Sequence, residues 1–167
     1  MQRSRKVIFV SHCLLNQNSM PVGLEKHTGV VKEVVDMLAE AGIGIVQMPC
    51  PEVEFFGIDR KPKTKEMLDN REFRKTCRVF SKQVLTQIEM YKQKNYNVLG
   101  VLGVEFSPTY AVHQIENGHR NSPGKGIFIE ELEDEMHKKN FQVPIIGVNL
   151  NNVMSSLEKI QALLKYS

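Results

Sequence analysis

The sequence predicts an α/β domain built on an open parallel sheet of about four strands with helices on both faces. Three observations carry this. Four short apolar runs rich in β-branched residues each lead into a loop and then a segment of helical period. The run Val98-Leu99-Gly100-Val101-Leu102 is apolar on both faces, as in a central parallel strand. At 167 residues, 41% hydrophobic and 25% charged, the chain suits one domain with a core, spanning positions 1–167. Right-handed crossovers then limit it to a Rossmann-like or flavodoxin-like three-layer arrangement.

The first strand is Lys6–Val10, stopping at Ser11-His12-Cys13. Asn16, Asn18, Pro21 and Gly23 mark Leu14–Lys26 as loop. Thr28 is the expected N-cap of a helix carrying Val30, Val31, Val34, Val35 and Leu38, which Gly42 closes. Ile43–Met48 forms the second strand and ends at Pro49-Cys50-Pro51, because two prolines cannot continue a ladder. Glu52–Lys65 reads as irregular. A long helix from about Asn70 to Lys94 follows, with the stripe Phe73, Cys77, Phe80, Val84, Ile88 and Tyr91 inward. Asn97–Val104 is the third strand and Glu105–Gly126 a long polar loop. Ile127–Asn140 is a helix, acidic at its start and basic at its end, as the helix dipole favours. Pro144–Val148 is the fourth strand, Asn149–Asn152 a polar turn and Val153–Tyr166 the last helix.

The formal charge is only +3, and the basic residues are scattered without interleaved aromatics, so no nucleic-acid partner is expected. No apolar run nears the roughly 18 residues of a membrane span, and the basic start is followed only by Val7–Val10, too little for a signal peptide. A cytoplasmic protein with no membrane partner is expected. Its three cysteines, an odd number, are then core thiols, metal ligands or reactive groups rather than a disulfide framework.

Ligands of open parallel sheets bind outside the carboxyl ends of the strands. Ser11–Cys13, Pro49–Glu52, Glu105–Tyr110 and Asn149–Asn152 meet there. Two of the three cysteines, Cys13 and Cys50, each follow a strand directly, which points to a shared role; the bland alternative is a pair of small buried hydrophobes. Cys77 lies on the apolar stripe of the long helix and reads as a packed core thiol. No Gly-rich phosphate loop follows the first strand, and the five histidines lack zinc-ligand spacing. Gly124-Lys125-Gly126 precedes a helix and reads as a plain loop.

Three spaced motifs then stand out: Ser11-His12-Cys13-Leu14-Leu15-Asn16, Gln47-Met48-Pro49-Cys50-Pro51-Glu52 and Gly103-Val104-Glu105-Phe106-Ser107-Pro108. Together they resemble the 2-thiouracil desulfurase (TudS-like) family, and most closely a TudS-related branch of desulfidases, from Val7 to about Val112. The resemblance implies a 4Fe–4S cluster on three cysteines, with a free iron that takes the sulfur of a thiocarbonyl substrate, and hydrolysis of the carbon without net redox. On this chain it implies Cys13 and Cys50 as cluster and metal ligands. It makes Glu52 and Ser107 the acid/base and positioning groups, and it puts Ser11, Asn16 and Tyr110 around a small thiolated, nucleobase-like substrate. The chain departs from the family at Ser107-Pro108-Thr109-Tyr110-Ala111, where the family reads Ser-Pro-Ser-Cys-Gly. Tyr110 replaces the third thiolate, and a phenol is a hard donor with a reference pKa near 10, so a complete stable cluster is not expected.

Three readings follow. One is a desulfidase-like enzyme whose cluster another ligand completes. Another is a cluster-free relative that binds a small molecule without catalysis. The third is a simpler metal or thiol site at Cys13 and Cys50.

Overall fold

A computed structural model describes residues 1–165 of the chain. Tyr166, where the last helix is expected to end, lies outside them. The elements are β1 (Lys6–Val10), α1 (His12–Leu15), a 3-10 turn (Gln17–Ser19), α2 (Lys32–Glu40), β2 (Gly44–Gln47), α3 (Pro51–Phe56) and α4 (Lys65–Leu68). They continue with α5 (Arg71–Gln93), β3 (Asn97–Val104), β4 (Gln114–Asn117), β5 (Arg120–Pro123), α6 (Ile127–Lys138), β6 (Ile145–Val148) and α7 (Val153–Lys165).

Four strands form one parallel sheet in the order β2-β1-β3-β6. The chain moves outward from β1 to β2, then crosses back over β1 to β3 and on to β6. Right-handed crossovers therefore place the connecting helices on opposite faces. The contacts agree: α5 packs on α6 and β3, while α7 packs on α2 and β6. The direction of winding reverses between β1 and β3, which makes their carboxyl ends the natural binding crevice. Strand β3 is buried from Val98 to Val104, as its unbroken apolar run demands. Phe9, Phe73, Phe128, Leu38 and Leu102 fill the two layers around it.

Four local expectations need correction. The helix expected to start at Thr28 starts at Lys32. Gly29 and Val31 are tied by backbone hydrogen bonds to Gln17 and Leu14, which keeps 28–31 out of the helix, with 28–30 bent, until buried Val31 has entered the core. The first strand is followed by one helical turn, α1, rather than loop. The segment 52–65 contains α3; Pro51 at its first turn with Glu52 and Glu54 behind it is a legible helix start. The segment 105–126 contains a hairpin, β4–β5, closed by a two-residue loop with Gly118 first at φ 70°. No helix among the described residues is long and apolar enough to cross a membrane.

Candidate functional site

The parallel register sets the two cysteines side by side. Val10 of β1 pairs with Gln47 of β2, and Cys13 and Cys50 each lie three residues beyond those partners. Both side chains are nearly closed off, at 7% and 8% exposure. Burial pushes the Cys13 thiol well above its ordinary range; Cys50 and Glu52 push the same way, and Arg60 opposes them. Burial likewise raises Cys50, against backbone N–H groups at the start of α3 and against Arg60. Both thiols are protonated at neutral pH.

Glu52 begins α3 immediately after Cys50 and is buried. Its two oxygens are both engaged: Oε1 accepts from Arg60 Nε at 3.4 Å and Oε2 from Thr109 Oγ1 at 2.7 Å. Arg60 also donates from Nη1 to the carbonyls of Ser19, at 2.7 Å, and Gly57, at 3.3 Å. This ion pair, with side chains 4% and 5% exposed, knits α3, the 3-10 turn and the loop after β3 into one unit. Sequence reasoning does not find Arg60, because nothing in its neighbourhood of surface lysines marks it as buried. Thr109 emerges in the same way, from its contact with Glu52.

The loop after β3 is seated by close backbone approach. A Cβ on Gly126 would lie 2.2 Å from the Thr109 carbonyl carbon, and one on Gly103 2.3 Å from the Tyr110 oxygen. Pro108 and Thr109 carbonyls accept the first N–H groups of α6, so the helix start after Gly124-Lys125-Gly126 is capped by protein. Glu105 closes the loop from the other side, accepting from the N–H groups of Val112, His113 and Gln114.

Tyr110 is 2% exposed; its ring meets Phe128 edge-on at 5.3 Å and its hydroxyl donates to the Pro49 carbonyl. Burial first, then Cys50, Cys13 and Cys77, hold its proton on far above the usual phenol range. It is a phenol, not a phenolate ligand. Cys77 is fully buried on α5, and burial raises its thiol too; it acts electrostatically on Tyr110 and feels Cys50, so the helix stripe that fills the core also backs this site.

Three other expected residues shape the backbone. Ser11 is fully buried and its hydroxyl donates to the Leu102 carbonyl at 2.8 Å, so it stitches the end of β1 to β3. Asn16 caps the 3-10 turn by accepting from Asn18. Ser107 Oγ accepts from the N–H groups of Thr109 and Tyr110 and so folds the loop. Among the described residues no group of three or more His, Cys, Asp or Glu side chains is arranged to hold a metal ion. Two open surface clefts, of about 430 and 710 Å³, are lined by Lys65, Asp69 and Ile115 and by His113, Glu133 and Val143, and neither includes a cysteine.

Comparison with known proteins places this arrangement. No family model matches the chain. A solved structure of the 4Fe-4S-dependent thiouracil desulfidase TudS superposes with a TM-score of 0.54 over 94% of this chain and 99% of that one, at 18% identity, and so shares the fold. The uncharacterized protein MJ0003 of Methanocaldococcus jannaschii is 34% identical over 163 residues, 95% of this chain and 98% of that protein. With that identity along nearly the whole of both chains, this protein belongs to the family of MJ0003 and has the TudS fold.

Proposed function

We propose that the chain binds a small thiocarbonyl compound, of the thiolated-nucleobase type, at the Cys13/Cys50 site. The observation that carries this is convergence: Cys13, Cys50, Glu52, Thr109 and Tyr110 come from three separate segments to one sheet edge, where buried Glu52 holds both Arg60 and Thr109. The fold shared with TudS supports the same ligand class. Protonated thiols offer S–H donors and a polarisable surface, which suits the soft sulfur of a C=S group. Three free thiols also suit a reducing compartment, and this reading places the protein in the cytoplasm.

Binding without turnover is what the donors favour. A cluster of the implied kind calls for three thiolates, and the third position holds a buried phenol whose proton is bound to the Pro49 carbonyl. The donor set does not fit a resident 4Fe–4S cluster. Neither thiol is ionised at neutral pH, so neither is a ready nucleophile.

A second reading, hydrolytic desulfuration with a cluster completed by some other ligand, draws on the same shared fold. One set of measurements separates the two. Anaerobically purified and reconstituted protein is assayed for iron, acid-labile sulfide, calorimetric binding of 2-thiouracil against uracil, and sulfide release. The binding reading expects colourless protein that prefers 2-thiouracil and releases no sulfide. About four irons per chain with sulfide release establishes the enzyme instead. Absence of any preference for the thiocarbonyl overturns both.

A further inference from the structure

We infer that His12 contacts the ligand of this site, its Nε2–H donating to an uncharged acceptor of the bound ring, with Gln47 as the residue that positions the imidazole. The inference rests on the thiocarbonyl reading above and adds a contact that favours a neutral ring over an anion.

The strands that carry the two thiols also carry this pair. Val10 of β1 lies beside Gln47 of β2 in the ladder. His12 directly precedes Cys13, and Gln47 stands three residues before Cys50. Gln47 Nε2 lies 2.6 Å from His12 Nδ1. An amide nitrogen donates and does not accept, so Nδ1 is the acceptor and the ring hydrogen belongs to Nε2. The imidazole in this contact is neutral, and the hydrogen bond on one nitrogen fixes the role of the other.

The ring springs from a fixed backbone. Ser11 is bonded to the Leu102 carbonyl through its N–H, at 2.9 Å, and its hydroxyl, at 2.8 Å. The His12 carbonyl accepts from the Asn16 N–H at 3.1 Å. Gln47 is the last residue of β2, and the Met48 N–H after it bonds the Val10 carbonyl at 2.8 Å. With both backbones held and Nδ1 engaged, the Nε2–H is pre-oriented. His12 is half-buried and Gln47 exposed, so their bond adds little to stability. Its effect is to choose the tautomer and the direction of the free donor. Nε2 makes no hydrogen bond among the described residues and is open to solvent, hence to a ligand at this edge. A single neutral donor suits the C=S or C=O of an uncharged ring, whereas an anion calls for a cation or several donors.

Two substitutions separate the ring nitrogens. A glutamine amide reaches about as far as Nε2 and an asparagine amide about as far as Nδ1. His12→Asn therefore keeps a partner for Gln47 and loses the ligand donor, while His12→Gln restores a donor there. By calorimetry, His12→Asn is expected to bind 2-thiouracil about three- to tenfold more weakly than wild type, the range of one hydrogen bond, and His12→Gln to recover most of that loss. Urea unfolding is expected to show both variants native, since the ring lies outside the core. Nitrogen NMR of isotope-labelled histidine needs no variant. In wild type it is expected to show Nε2–H with Nδ1 unprotonated, and added 2-thiouracil is expected to move the Nε2 signal. Gln47→Leu is expected to lose the tautomer preference. An Nδ1–H tautomer in wild type, an unmoved Nε2 signal, or His12 variants that weaken equally or not at all overturn the role of His12. Where wild type still prefers 2-thiouracil to uracil, those results leave the thiocarbonyl reading intact. No preference for 2-thiouracil over uracil in wild type overturns both.

Discussion

Replacing Tyr110 by cysteine separates what the phenol does for the fold from what it denies the site. The side chain is 2% exposed, packs edge-on against Phe128 and donates to the Pro49 carbonyl. Deleting a buried aromatic ring costs about 3–5 kcal/mol, and the retained sulfur keeps Tyr110→Cys near the lower end. The Pro49 carbonyl loses its donor; because Pro49 is only half-buried, water replaces much of it, and about 1 kcal/mol is lost. A total of about 4 kcal/mol is a large share of the 5–15 kcal/mol that holds a domain together. Tyr110→Phe removes the hydroxyl alone and should cost about 1–2 kcal/mol. Urea unfolding under reducing, anaerobic conditions reads both, as a shift of midpoint at unchanged slope. In the same samples, Tyr110→Cys should take up more iron and acid-labile sulfide on reconstitution than wild type. Two results refute the reasoning: a Tyr110→Phe cost equal to that of Tyr110→Cys, or a wild-type protein already holding about four irons per chain.

Other predictions concern the frame around the site. A Cβ on Gly147 would lie 1.6 Å from Glu105 Oε1, so Gly147→Ala should displace that carboxylate and free the N–H groups of 112–114. A loss of about 2–4 kcal/mol and faster hydrogen exchange confined to 105–115 are expected, and unchanged exchange there sinks the idea. Cys77→Ala should cost about 1 kcal/mol, the scale of one small buried group, and leave 2-thiouracil binding unchanged; loss of binding would make Cys77 part of the site. The hydrogen bond from Arg74 holds the Asp69 carboxyl below the usual carboxylate range. A depressed carboxylate stabilises the fold above its unfolded value of about 3.9 and loses that contribution as pH falls through the folded value. Since Asp69 is 39% exposed, solvent limits the effect of Asp69→Asn to about 1 kcal/mol or less at pH 7, fading as pH falls below the unfolded value; an effect undiminished in acid contradicts the assignment.

The long elements were legible because their signals are local and repeated. Asn70 and Lys94 bracket α5 as expected, with Asn70 accepting from the Phe73 N–H, and β3 runs from Asn97 to Val104 as its apolar run requires. The missed elements are short. Pro51 with Glu52 and Glu54 carried a helix signal that the lysine-rich sequence behind it obscured, and Gly118 marked a hairpin within a stretch whose strands expose most of their side chains. Such strands lack the alternation that reveals a half-buried sheet.

By itself the sequence determined the alternation of strands and helices, hence the parallel sheet, and from it that Cys13, Cys50 and the 105–110 loop share one edge. These follow from hydrophobic period and crossover handedness, which any segment expresses without reference to its distant neighbours. Only the tertiary structure decided that Ser11, Asn16 and Ser107 spend their polar atoms on the backbone, that Tyr110 remains a phenol, and that Arg60 lies buried against Glu52. Those outcomes depend on desolvation and on partners eight to ninety-one residues away for Arg60, Tyr110 and Ser11, and on the local turn for Asn16 and Ser107. A buried charge or hydroxyl acquires its role from whatever the packed chain places within 3 Å or so of it, and no pattern along the chain encodes that.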